Sequence, residues 1–154
     1  MRRRIAALAG AAILPGLLLA ALSGSARADA ATGSYTILNA GNGQCLASPL
    51  RPLVVMLPCD GTAHQQWTIS PTGTGPFSIR NVATGQYVTV SGGAALTSPS
   101  AAYWGISAPG NSGSSISVPG TNLSLTRLLG NGVVVQHATG ANSQGWNLVP
   151  VMAG

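Results

Sequence analysis

Few side chains in this sequence can do chemistry. It has two histidines, His64 and His137, two cysteines, Cys45 and Cys59, and two carboxylates, Asp29 and Asp60. General acid/base work by paired carboxylates needs both across one substrate, and Asp29 lies far upstream of Asp60. Asp60 and His64 share a short turn, but no nucleophile elbow accompanies them. A metal site wants clustered His, Cys or carboxylate ligands, whereas the two histidines stand in separate parts of the sequence. Gly92-Gly93 reads as a turn and not as a phosphate-cradling loop. These residues point away from an enzyme, from a bound metal and from any cofactor. What they leave is non-covalent binding. His64 with Gln65, and His137 with Gln144, offer neutral donors and acceptors to a ligand. The same amides also suit a second role, tying turn backbone together inside the fold.

Charge narrows the partners. The formal +5 is carried largely by Arg2, Arg3, Arg4 and Arg27, which lie in a stretch that reads as an export signal. Three arginines precede an Ala/Leu-rich core, and Ala26-Arg27-Ala28 supplies the small-x-small cleavage pattern. The apolar core, broken by Pro15-Gly16, is shorter than the ~20 unbroken residues of a membrane span. The expectation is a signal peptide at 1–28, with cleavage after Ala28 or Ala30, and a secreted chain over 29–154. That chain keeps only Arg51, Arg80 and Arg127 as basic side chains apart from histidine, too scattered for a nucleic-acid footprint. No other stretch is apolar enough to span a bilayer. Nucleic acid and, once the signal is removed, membrane are therefore not expected partners.

The elements that must position these residues are strands. Apolar/polar alternation bounded by turn residues predicts strands at 35–38, 45–46, 54–57 and 67–69. A second set falls at 77–80, 87–90, 95–97 and 104–106, and a third at 116–118, 123–125, 133–135 and 146–149. No helical period is kept. The sets start at Tyr35, Phe77 and Ile116, about 40 residues apart, the spacing of a copied supersecondary unit. Trp67, Trp104 and Trp146, the three tryptophans of the sequence, each open the last strand of a set and by alternation face a core. Three blades do not close a propeller. Three four-stranded units that close on one another make a β-trefoil, and closure removes exposed sheet edges. The reading is an all-β trefoil with repeats at about 34–72, 76–110 and 114–151.

Within the first set, Gln44-Cys45-Leu46, then Val54-Val55-Met56-Leu57-Pro58-Cys59-Asp60-Gly61, then Gln65-Gln66-Trp67-Thr68-Ile69 resembles a ricin B-type lectin repeat. A looser likeness runs over 34–150. The resemblance implies a Cys45–Cys59 disulfide and tryptophans packed in the trefoil core. An exported protein with two cysteines agrees with such a bridge. The resemblance also implies carbohydrate binding, but the sugar ligands are altered. Galactose-binding members carry an Asp just after the Cys-Leu pair, an aromatic two residues before the second Cys and an Asn three before the Trp. Here those positions hold Ala47, Leu57 and His64. Thr89 and Ala102 replace the Asp and Gln in the second set; the third keeps Gln144 and has Ser124 at the Asp position. The expected function is that of a secreted lectin-like protein with degenerate sites and weak binding to glycans or glycoproteins. The third set, at Gln144 and His137, is the first candidate, and Gln65 with His64 the second.

The sequence is also similar to fungal β-trefoil serine protease inhibitors, in Ile79-Arg80-Asn81-Val82-Ala83-Thr84-Gly85-Gln86-Tyr87 and in Trp146-Asn147-Leu148-Val149-Pro150. That likeness implies a serine protease as the alternative partner. Ser48-Pro49-Leu50-Arg51-Pro52-Leu53 is then the candidate inhibitory loop. Prolines rigidify it, and Arg51 would enter a trypsin-like pocket.

Overall fold

The computed structural model describes residues 33–152; the expected signal peptide, 1–28, lies outside the described residues. Twelve strands are present among them: β1 (Gly33–Asn39), β2 (Cys45–Ala47), β3 (Val55–Leu57), β4 (Gln66–Pro71), β5 (Phe77–Asn81), β6 (Tyr87–Ser91), β7 (Ala94–Ser98), β8 (Gly105–Ile106), β9 (Ile116–Ser117), β10 (Leu123–Arg127), β11 (Val133–His137) and β12 (Trp146–Pro150). Single 3-10 turns, Ala63–Gln65 and Asn142–Gln144, lead into β4 and β12. Each strand appears where alternation placed it. In β4, Trp67 and Ile69 are buried while Gln66, Thr68 and Ser70 are partly exposed.

Six strands close a barrel. β1 runs antiparallel to both β4 and β12, through Tyr35↔Trp67 and Ile37↔Leu148. β4 pairs with β5 through Ile69↔Ile79. A bridge from Phe77 to Trp104 carries the ring on to β8, β8 pairs with β9, and a bridge from Ser114 to Trp146 returns it to β12. The other six strands form the hairpins β2–β3, β6–β7 and β10–β11. These hairpins hold one another in a cycle. Leu53 bridges Leu96, Ala94 pairs with Val134, and Gly132 bridges Val55. The architecture is a β-trefoil. A closed ring leaves no long unpaired edge.

The core sits inside this ring. Ile37, Ile69, Ile79, Ile116 and Leu125 are wholly buried with Trp67, Trp104 and Trp146. Each such aliphatic side chain stabilises the fold by roughly 1.5–3 kcal/mol relative to exposure. The β6–β7 turn depends on glycine: Gly92 and Gly93 have φ of 59° and 83°. Two consecutive residues at positive φ make the tight turn whose twist suits a two-stranded hairpin.

Candidate functional site

The tryptophans do more than fill the core. The indole N–H of Trp67 donates to the Leu46 carbonyl at 2.9 Å, that of Trp104 to Val88 at 2.9 Å and that of Trp146 to Leu125 at 3.0 Å. Each bond pins the middle of a hairpin strand to the barrel. Leu46, Val88 and Leu125 point inward, and the next residue along each strand points the other way. Those next residues are Ala47, Thr89 and Thr126. The third corrects the sequence reading, which put Ser124 at that position. β10 alternates Leu123, Leu125, and the indole bond shows Leu125 to be the inward one. Across each hairpin, Cys45 faces Leu57, Tyr87 faces Ser98 and Ser124 faces Gln136. The paired position therefore holds Leu57, Ser98 or Gln136, and none of the three is aromatic.

Gln65 and Gln144 occupy corresponding sites and do corresponding work. The Gln65 side chain accepts from the Asp60 N–H at 2.8 Å and donates to the Pro58 carbonyl at 2.9 Å. Gln144 accepts from the Thr139 N–H at 2.7 Å and from its hydroxyl at 3.2 Å. It donates to the His137 carbonyl at 2.8 Å and to Thr126 Oγ1 at 3.1 Å. Exposures of 2% for Gln65 and 6% for Gln144 leave almost no surface for a ligand. Buried amides satisfied in this way stitch turn backbone together. Of the two roles open to them in the sequence, the structure places both amides in the structural one.

The histidines differ. His64 is exposed, and its Nδ1 lies 3.0 Å from the Ser48 carbonyl. With the proton on Nδ1, that nitrogen donates to the carbonyl and Nε2 faces outward as an acceptor. Ser48 itself is fully buried, and its hydroxyl has no hydrogen-bond partner. His137 is exposed at the end of β11, and only its backbone carbonyl touches Gln144. So the structure joins His137 to Gln144, and His64 adjoins Gln65, but as two separate clusters.

Asp60 is held by its own turn. Its carboxylate accepts from the Thr62 N–H at 2.9 Å and the Thr62 hydroxyl at 2.8 Å. The backbone bond from Thr62, then the hydroxyl bond, hold the carboxyl below the ordinary aspartate range, and nearby His64 adds a small push in the same direction. Cys45 and Cys59 are bonded, with Cα atoms 5.1 Å apart. Arg51 is exposed in the β2–β3 loop. That loop is closed on itself by the Leu53 N–H, which donates to the Leu50 carbonyl at 2.8 Å, and is tied to β7 by the Thr97 N–H, which donates to the Pro52 carbonyl at 2.8 Å.

Several working residues escape a sequence reading. Asn39 is fully buried; its amide donates to the Ser143 carbonyl at 3.0 Å, and its oxygen accepts from Arg127 Nε at 3.0 Å. Asn81 likewise donates to the His64 carbonyl at 3.0 Å. Each asparagine locks the turn before a tryptophan strand to a neighbouring strand, across 104 residues for Asn39 and 17 for Asn81. The only hint was an Asn at the end of the first strand in two of the three sets. Arg80 is a second case. Its guanidinium stands 5.7 Å from the Tyr87 ring centroid and donates through Nε to the Gly85 carbonyl at 2.8 Å.

The family described as ricin-type beta-trefoil lectin domain-like matches residues 25–104. No curated protein matches the chain. Among solved structures, a ricin B-like lectin from Macrolepiota procera in complex with lactose is similar at 20% identity and a TM-score of 0.73, covering 79% of this chain and 97% of that one. The Rhizoctonia solani agglutinin is similar at 20% identity and a TM-score of 0.70, covering 78% and 96%. The Polyporus squamosus lectin bound to the epitope Neu5Aca2-6Galb1-4GlcNAc is similar at 26% identity and a TM-score of 0.65, covering 77% and 49%.

Proposed function

We propose that this chain, which belongs to the ricin-type beta-trefoil lectin domain-like family, is a secreted carbohydrate-binding protein with degenerate sugar sites and no catalytic activity of its own. The observation that carries the reading is the likeness to a lectin solved with lactose, which extends over 97% of that lectin's length. Degeneracy follows from the side chains. With Ala47, Thr89 and Thr126 where a carboxylate is expected, the strong charge-assisted bond to paired sugar hydroxyls is missing. With Leu57, Ser98 and Gln136 opposite, so is the stacking ring at that position. Hydroxyls, backbone groups and the exposed histidines His64 and His137 are among the groups still open to a sugar. Secretion is supported by the leader-like residues 1–28 and by the Cys45–Cys59 bond, a feature of oxidising compartments.

The test is a glycan array probed with the purified protein, followed by titration of any hit. The reading expects a small set of weak hits and no hydrolysis of them. An array with no hit would remove carbohydrate from the account.

A further inference from the structure

We propose that the hairpin β6–β7 with strand β5 carries a site for an acidic saccharide, built on Arg80 and Tyr87; this rests on the sugar-binding reading and names the ligand class. The argument begins with register. Arg80 on β5 pairs with Tyr87 on β6, and Tyr87 pairs with Ser98 on β7. Paired residues in an antiparallel sheet share a face, so Arg80, Tyr87 and Ser98 form one row across three strands, each roughly 5 Å from the next. Val88 is buried and hydrogen-bonded to Trp104 through its carbonyl, so the row faces outward, with Thr89 two residues along on the same face.

The corresponding rows elsewhere are different. Beside the first hairpin the row is Leu38, Cys45, Leu57, apolar and crossed by the disulfide. Beside the third it is Ser117, Ser124, Gln136, small and neutral. The middle row alone of the three combines a charge with an aromatic ring.

The geometry of Arg80 suits an anion. Nε is fixed by the Gly85 carbonyl and the guanidinium lies near the Tyr87 ring. A Cβ on Gly85 would come within 3.2 Å of Nη2, and Gly85 has φ of 74°, so glycine lets the arginine lie flat against the turn. A guanidinium held in this way keeps a pair of N–H donors that match a carboxylate or a sulfate. No carboxylate among the described residues claims it: Asp60, the one acidic side chain there, is bonded to Thr62. With the guanidinium over one face of the half-buried Tyr87 ring, the sugar would pack against the ring beside it, with Ser98 and Thr89 as the hydroxyls of the same face. An uncharged sugar would use the ring and leave the guanidinium idle. A sugar acid uses both.

The test is an NMR titration of the purified protein with trigalacturonate, galactotriose and lactose 6-sulfate. Trigalacturonate, lactose 6-sulfate or both should bind about fivefold more tightly than galactotriose at low ionic strength, as for one exposed charge-assisted contact. The margin should shrink as salt is added. In the unmodified protein, the shifted amides should include Gly85, Tyr87 and Ser98. Arg80→Gln should abolish the preference for the acidic ligands; Arg80→Lys should keep part of it; Arg51→Gln should change nothing. Should Arg80→Gln fail to fold, the shift map of the unmodified protein decides. Equal affinity for all three ligands, shifts away from this row, or a preference that survives Arg80→Gln would overturn the assignment while leaving a neutral-sugar lectin standing. Binding of none of the three would overturn the assignment and count against the sugar-binding reading as well.

Discussion

Replacing Gln144 with alanine separates the structural role of this residue from a ligand-binding one. The substitution strips acceptors from the Thr139 N–H and hydroxyl, and donors from the His137 carbonyl and Thr126 Oγ1, at a position only 6% exposed. Solvent cannot easily replace these partners. Each typical intramolecular bond contributes about 1 kcal/mol net, and stranded buried groups cost more. Water entering the vacated space returns some of that. The expected loss is therefore ~3 kcal/mol, which for a domain of this size lowers Tm by roughly 10 °C. The assay is thermal unfolding followed by circular dichroism, with Gln136→Ala as the control. Gln136 is exposed on β11, and its loss should stay within about 0.5 kcal/mol. A Gln144→Ala protein that melts like the unmodified one but loses its glycan hits would refute the reasoning, because it would show that the amide faces ligand.

Four further outcomes are expected. Cys45→Ser with Cys59→Ser opens a 14-residue separation and should cost ~3 kcal/mol in the chain-entropy model; an all-β spectrum should survive, and an unchanged denaturation midpoint would contradict the estimate. Gly145→Ala would drive a Cβ into the Ser112 carbonyl oxygen, whereas a Cβ on Gly120 meets nothing within 4 Å and faces only its φ of 75°. Gly145→Ala should then fail to yield folded protein, Gly120→Ala should cost about 1 kcal/mol, and comparable expression and melting of the two would count against the packing described. Because the Asp60 carboxyl is depressed in the folded state, its contribution is present above the unfolded-state value and is lost as pH falls through the folded one. Its NMR titration midpoint should lie below that of an ordinary aspartate, and Asp60→Asn should flatten part of the acid limb of the melting curve; a midpoint at or above the ordinary value would contradict this. Trypsin should retain full activity in the presence of the protein, while nanomolar inhibition abolished by Arg51→Ala would put the inhibitor reading first.

The scaffold was legible because its signals are local and repeated. Alternation around Ile37, Ile69, Ile79 and Ile116 shows which faces are buried, and the tryptophans mark the returning barrel strands. The site was less legible, for a physical reason. A strand such as Leu123-Ser124-Leu125-Thr126 alternates with two apolar residues, and only the bond from Trp146 to the Leu125 carbonyl decides which residue follows the inward one. The double nature of Gln65 and Gln144 had the same origin: an amide beside a turn reads alike whether it faces solvent or backbone. Asn39 and Arg127 meet across most of the chain, a contact that no local pattern announces. Arg80 and Tyr87 lie seven residues apart in sequence, and only the hairpin register makes them neighbours.

Lactose titration of isotope-labelled protein tests the central claim most directly. The account predicts saturable chemical-shift changes at one or more hairpins, with Kd in the high-micromolar to millimolar range, roughly −4 to −6 kcal/mol. A sub-micromolar Kd would contradict the degenerate pockets at Ala47, Thr89 and Thr126. No shift with lactose or with any hit from the array would contradict the lectin reading itself.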